Sequence, residues 1–234
     1  VEGERDADYR LDIAELDRVV ADHSPSIVFL CSPNNPTGTP EQLETVQRAL
    51  EVTSGVVVVD EAYGQFASFT ALDLLRANPE LPLVVTRTFS KTWSMAGVRL
   101  GYCVAPAWMI PEFEKVILPY HLDSVKQIAG RVALRFQHQM ESRVAYIVEE
   151  RGRVDEALRG LGFDVWPSQS NFILFRTSPT GLSGEVVWQG LVDRSVLVRN
   201  CSGWPRLADC LRVTLGTADE NNQFLNALQE VLEA

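Results

Sequence analysis

A chain of 234 residues, 46% hydrophobic and 22% charged, has the composition of a globular protein and is long enough for one large domain or two smaller ones. Its formal charge of −10 argues against nucleic acid or an anionic lipid surface as the main partner, because a polyanion needs a basic face. No apolar run reaches the ~20 residues of a membrane span, which argues against membrane insertion as well.

The opening residues, VEGERDADYRLD, have no initiating Met, no basic stretch and no apolar stretch, so they read as a cut end rather than a signal peptide. "IVFLC" (Ile27 to Cys31) has strand character and runs into "SPNNPTG", whose Pro and Asn residues and Gly38 stop the strand and predict a shaped loop. A helix is expected next, with Thr39 as its cap, Pro40 at the first position, Gln42 completing a capping box, and Leu43, Val46 and Leu50 on one face. After Gly55, "VVVV" (Val56 to Val59) is apolar without alternation, as in a parallel strand buried on both faces. Asp60-Glu61-Ala62-Tyr63, helical character around Ala71 to Ala77, a strand at Leu83 to Thr86 and another at Leu100 to Ala105 follow.

Beyond Pro119 a long helical stretch is expected over Ser124 to Leu161. Strand-like runs then stand at Phe163 to Trp166, Phe172 to Phe175, Val196 to Val198 and Leu211 to Leu215, with helices near Glu185 to Val192 and Glu220 to Leu232. The alternation of strand and helix predicts an α/β fold with a mostly parallel sheet in residues 1–122, then a linking helix and a smaller α+β domain in 123–234. Cys31, Cys103, Cys201 and Cys210 stand singly and read as small core residues; His23, His121 and His138 show no ligand spacing with them. That is the pattern of a reduced cytoplasmic protein without a metal site. Tyr120 and His121 read as packing or interface residues.

In a parallel sheet, ligands gather at the carboxyl ends of the strands. That edge would collect Asn34, Asn35, Asp60, Tyr63, Thr88, Ser90 and Lys91. A lysine at the end of a buried strand is costly as an ammonium, and a Schiff base with a carbonyl cofactor removes that charge. Thr88, Ser90, Arg99 and nearby backbone N–H groups suit a phosphate. Asp60 suits a protonated ring nitrogen, the partner that pyridoxal phosphate needs as an electron sink. Asn35 and Tyr63 suit the phenolic oxygen of the same ring. Read locally, Asn34-Asn35-Pro36 is a turn, and Asp60-Glu61 is a turn or a Mg²⁺-binding edge, although no GxxxxGK[ST] accompanies it. Thr88 to Lys91 has threonine where an SxxK nucleophile motif has serine.

"SPNNPTG", "VVVDEAY" and "TRTFSKTWSMAGVRLGY", in that order, resemble the fold-type-I pyridoxal-phosphate aminotransferases of the aspartate aminotransferase superfamily. Within it, "LPYHLDSV", "PSQSNFILF", "VLVRNCS" and "LRVTLGTADENNQFLNAL" resemble the histidinol-phosphate aminotransferases most closely. The resemblance implies that Lys91 bonds the cofactor aldehyde and then moves the substrate's α proton. Asp60 would hold the pyridine nitrogen, Asn35 and Tyr63 the phenolic oxygen, and Thr88, Ser90 and Arg99 the phosphate. Arg212 would receive the substrate's acidic group, Arg199 would be its second cationic partner, and Asn171 would line the same pocket. The implied reaction moves an amino group between L-histidinol phosphate and 2-oxoglutarate in histidine biosynthesis, in a cytoplasmic homodimer.

Relative to the family pattern, the chain is expected to lack the first third, including a glycine-containing phosphate loop and the aromatic that stacks on the cofactor ring. Three other readings stay open at this level. An aromatic amino-acid aminotransferase would use Arg212 for a carboxylate and leave Arg199 idle, a pyridoxal-phosphate decarboxylase would act on a phosphorylated amino acid, and a truncated fragment would be inactive.

Overall fold

The apolar runs between residues 27 and 88 become adjacent strands: β1 (Ile27–Cys31), β2 (Val56–Asp60) and β3 (Leu83–Thr88) are parallel neighbours. The computed structural model describes residues 1–234 and divides into two compact units, Val1–Asn34 with Pro40–Arg143, and Asn35–Thr39 with Val144–Ala234. This division falls inside a helix.

In the first unit a fourth strand, β4 (Gly101–Val104), pairs antiparallel with β3, so the order is β1-β2-β3-β4 with the first and last as edges. Val57 and Val59 are fully buried among Leu30, Leu83 and Val85, and helices α1 (Ile13–His23), α2 (Leu43–Val52) and α3 (Leu72–Ala77) contribute Leu16, Val20, Val46, Ala49 and Leu75 to the same core. Val56 and Val58 are only half-buried, so β2 is covered on one face rather than both. Cys31, Asp60 and Thr86 stand side by side across the three strands, which aligns their carboxyl ends. Cys103 lies exposed on β4, unlike Cys201 and Cys210, which are core residues as expected.

The expected capping box at Thr39 and Gln42 does not form: α2 begins at Leu43, and Gln42, in extended conformation, caps it without a side-chain bond. The reason is tertiary. Ser32 Oγ accepts from Glu41 N, and Thr37 Oγ1 accepts from Thr39 N, which keeps the segment extended through Gln42.

Glu41 is tied to the amino-terminal segment by Arg5, whose Nη2 donates to Glu41 Oε1 and whose Nη1 donates to Tyr9 O at 3.0 Å. Burial pushes the Glu41 carboxyl up, and the opposing pull of the Arg5 guanidinium does not cancel it. The folded state therefore keeps this proton to higher pH than the unfolded chain does, and the resulting stabilisation, full below about 4.5, is lost as pH rises through the raised value. Arg5→Ala is expected to lower the unfolding free energy by about 2 kcal/mol at pH 7. The loss should be smaller at pH 4, where the orphaned carboxyl is protonated; urea denaturation at both pH values checks this.

Helices α4 (Ile110–Val116), α5 (Ser124–Ala133) and α6 (Gln137–Gly160) follow, and a short 3₁₀ turn at Leu134–Phe136 splits the long helix expected over this stretch. In the second unit, β5 (Asp164–Val165), β6 (Phe172–Arg176), β8 (Cys210–Thr214) and β7 (Arg199–Asn200) form an antiparallel sheet in the order β5-β6-β8-β7. Its core joins Ile173, Phe175, Leu211 and Val213 to α7 (Gly184–Asp193) and α8 (Ala218–Leu232) through Val187, Leu191, Phe224 and Leu228. The strand expected at Val196 to Val198 is displaced to Arg199–Asn200. Ser195 adopts a left-handed φ of 60°, Val196 N returns to Leu191 O, and the Trp188 indole takes Val198 O, so ladder bonding starts only afterwards.

Candidate active site

In the first unit the strand ends assemble a compact polar group. Asp60 Oδ1 accepts from Ala62 N at 3.0 Å and from Thr86 Oγ1 at 3.3 Å, so the last residue of β2 is held by its neighbour on β3. The chain then turns through Tyr63, which is buried, into a 3₁₀ turn. Three residues beyond β3, Lys91 Nζ lies 5.1 Å from the Tyr63 ring centroid, within cation–π range. Lys91 is exposed and forms no ion pair, although the chain carries 31 acidic residues.

The Lys91 loop is shaped by its own hydroxyl and backbone groups. Thr88 Oγ1 accepts from Ser90 N at 3.0 Å and donates to Leu100 O at 3.4 Å, while Phe89 O accepts from Met95 N at 3.1 Å. Phe89 packs against Trp93 and Tyr102, with ring centroids 5.6 and 5.7 Å away, which anchors the loop on the core side. Arg99 stands apart from Thr88 and Ser90: it is exposed, has a left-handed φ of 56°, and its guanidinium donates to Ala96 O at 3.0 Å. The structure thus brings Lys91 to Tyr63, Asp60 to Thr86, and Thr88 to Ser90. It leaves the Arg99 side chain on the surface.

In the second unit the antiparallel register places Arg199 directly opposite Arg212. Both line a cavity of about 260 Å³ with Leu197, Val198 and Thr214, and no carboxylate lines it. The Arg212 guanidinium carbon lies 4.9 Å from the Phe172 ring centroid, and Nη1 donates to Asn35 Oδ1. Arg212 Nε is buried without a partner, and so is Asn171 Oδ1. Two guanidiniums in one cavity without a carboxylate concentrate positive charge there. A larger depression of about 500 Å³ in the first unit is lined by Asp17 and Arg48, but those two side chains satisfy each other at 2.8 and 3.0 Å. The smaller cavity is the one of the two whose cations face no carboxylate.

Asn35 is presented by a loop that only glycine can complete. Gly38 has φ of +76°, its carbonyl accepts from Gln169 N at 2.8 Å, and a Cβ there would meet Ser168 Oγ at 2.2 Å. Sequence reasoning did not single out Thr86, Phe172, or the buried group formed by Glu61, Thr70 and Arg87. The available signal for the last was a pair of opposite charges, one immediately after β2 and one within β3, where side chains are mostly apolar.

The family model described as "Aminotransferase class I and II" matches residues 1–228. Histidinol-phosphate aminotransferase of Corynebacterium diphtheriae is 41% identical over 98% of this chain and 61% of its own length. The enzyme of that name from Mycobacterium marinum is 44% identical over 97% of this chain and 58% of its own length. The crystal structure of histidinol-phosphate aminotransferase from Sinorhizobium meliloti in complex with pyridoxal-5'-phosphate superposes with a TM-score of 0.86 at 24% identity, over all of this chain and 64% of that one, which shows a shared fold. The chain spans about three fifths of the length of the curated relatives it matches. With Lys91 set against Tyr63 after β3 and the matched family model covering nearly its whole length, the chain belongs to the class I and II aminotransferases.

Proposed function

We propose that the protein to which these residues belong transfers an amino group between L-histidinol phosphate and 2-oxoglutarate in histidine biosynthesis, using pyridoxal 5'-phosphate. The observation that carries this reading is the pairing of Arg199 with Arg212 in one cavity without a carboxylate, which suits a phosphate ester better than a single carboxylate. The names of the relatives from Corynebacterium diphtheriae and Mycobacterium marinum support it.

The residues of the first unit fit the cofactor. Lys91 is a lysine without an ion-pair partner beside an aromatic face, suited to bond an aldehyde, and both hydrogen bonds to the Asp60 carboxylate fall on Oδ1, leaving Oδ2 for a protonated ring nitrogen. By resemblance, Tyr63 of the first unit and Asn35 of the second are assigned to the phenolic oxygen, and Thr88, Ser90 and Arg99 to the phosphate, although the Arg99 guanidinium stands apart from the two hydroxyls and bonds Ala96 O. When bound, the cofactor supplies an electron sink for the bond broken at the substrate's α carbon. The rest is done by the chain: Lys91 takes and returns that proton, Arg212 and Arg199 orient the phosphate, and Asn171 is assigned to the same pocket.

We place the protein in the cytoplasm, supported by four cysteines that are not in disulfides, and assign it a homodimeric state. The dimer reading rests on an apolar strip in the first unit: Val116, Leu118 and Val125 are 78%, 73% and 75% exposed, and Tyr120, Ile128 and Phe136 continue it. Light scattering on the purified protein should return twice the chain mass, and Val125→Glu should shift it toward the monomer.

The function is tested by half-reactions with L-histidinol phosphate, L-histidinol and aromatic amino acids, with released CO₂ measured in parallel. The phosphate ester is expected to exceed L-histidinol in kcat/KM by at least about 10²-fold, the effect of one desolvated charge contact and a second, more solvated one. Equal turnover of the two would sink the assignment in favour of an aromatic aminotransferase, and CO₂ release would favour a decarboxylase.

A further inference from the structure

Glu61 is only 2% exposed and follows Asp60 directly, while Arg87 sits in β3 between Thr86 and Thr88. Glu61 Oε2 accepts from Arg87 Nη2 at 2.6 Å and from Arg87 Nε at 3.1 Å, and Oε1 accepts from Ala71 N at 2.6 Å. The Thr70 hydroxyl lies 2.9 and 2.7 Å from the two carboxylate oxygens and accepts from Arg87 Nη2 at 2.9 Å. With every oxygen engaged, this carboxylate has no capacity left for proton transfer or for a ligand. Its network is closed.

The backbone explains what such a closed network does. Glu61 N donates to Thr86 O at 2.9 Å, so the β2–β3 ladder continues through Glu61. Successive strand residues point to opposite faces, so Arg87 lies on one face of β3 while Thr86 and Thr88 lie on the other. Asp60 is bonded to Thr86, and Thr88 shapes the loop carrying Lys91. The ion pair therefore grips the two strand ends from the face opposite Thr86, which holds Asp60, and Thr88, which shapes the Lys91 loop. Desolvating two charges offsets most of their mutual attraction, so an apolar pair of similar volume would stabilise the fold about as well. An apolar pair lacks the directional hold of two guanidinium N–H groups converging on Oε2.

We infer that Glu61 and Arg87 are positioning residues that set Asp60 against Lys91, and so tune the protonation of the cofactor held there; this rests on the cofactor reading proposed above. The test compares the native protein with Glu61→Gln, Glu61→Gln/Arg87→Met and Arg87→Lys, each loaded with pyridoxal 5'-phosphate. Thermal unfolding, the pH midpoint of the visible band of the bound cofactor, and kcat and KM are recorded for each.

Glu61→Gln should melt lower, because it leaves a buried guanidinium without its counter-charge. The double variant should recover most of that loss, yet keep a band midpoint displaced by about half a pH unit or more and a kcat about tenfold lower, with donor KM within about twofold of native. Arg87→Lys, which keeps the charge but loses the fork, should fold and show a partial displacement. A double variant, or an Arg87→Lys protein, with both the native midpoint and the native kcat overturns the inference and leaves the pair a purely structural one. Absence of any visible band in the native protein overturns the cofactor reading instead, and the inference with it, so the two failures are distinct.

Discussion

Lys91→Ala is expected to lower amino transfer by about 10⁴-fold, the upper range for a positioned proton-transfer group. The Nζ of Lys91 lies against the Tyr63 ring with no acidic partner, so its role in the fold is slight. Because the residue is exposed, truncating it should leave the melting temperature within a few degrees of native. Loss of activity without loss of fold is the result that separates a reacting lysine from a solvated loop lysine. The chemical counterpart is direct: with pyridoxal 5'-phosphate and borohydride, peptide mass mapping should find the adduct at residue 91 in the native protein and nowhere in the variant. An adduct at another lysine, or retained transfer in Lys91→Ala, defeats the assignment.

Arg212→Ala is expected to reduce kcat/KM for the phosphorylated donor by about 10²–10³-fold, as for truncation of one partner in a desolvated charge contact. Arg212 is held over Phe172, donates to Asn35, and keeps a buried Nε without a partner, so its guanidinium is oriented before any ligand arrives. Arg199, across the β7–β8 pair, is exposed and without such support, so Arg199→Ala should cost only about tenfold, the value of a more solvated contact. The comparison is sharper than either number alone. Measured with L-histidinol phosphate and with an aromatic amino acid, Arg199→Ala should affect only the former. An equal loss for both donors would show that Arg199 does not read the phosphate.

The strands were legible because their signal is local: "IVFLC", "VVVV" and "LVV" are apolar runs bounded by Gly, Pro and Asn, and each became a strand within a residue or two. Lys91 and Asp60 were legible for the same reason, as polar residues placed where such a run stops. The capping box at Thr39 failed because Ser32, nine positions before Glu41, took the backbone N–H that frames the turn. The strand at Val196 to Val198 failed because the Trp188 side chain occupied the Val198 carbonyl. In both places a tertiary bond outcompeted a local preference, which a propensity carries too little energy to resist.

By itself the sequence determined the order of strands and helices, the apolar faces that bury them, the motif residues at the strand ends and the family they resemble. Each of these depends on residues within a turn or a strand of one another. Only the tertiary structure decided that Lys91 meets Tyr63, that Glu61 closes on Arg87 across 26 positions, that Arg212 reaches Asn35 across 177, and that Arg99 turns to its own backbone. Those contacts depend on strand register and on which buried donors are left without partners, and both arise from how distant segments pack.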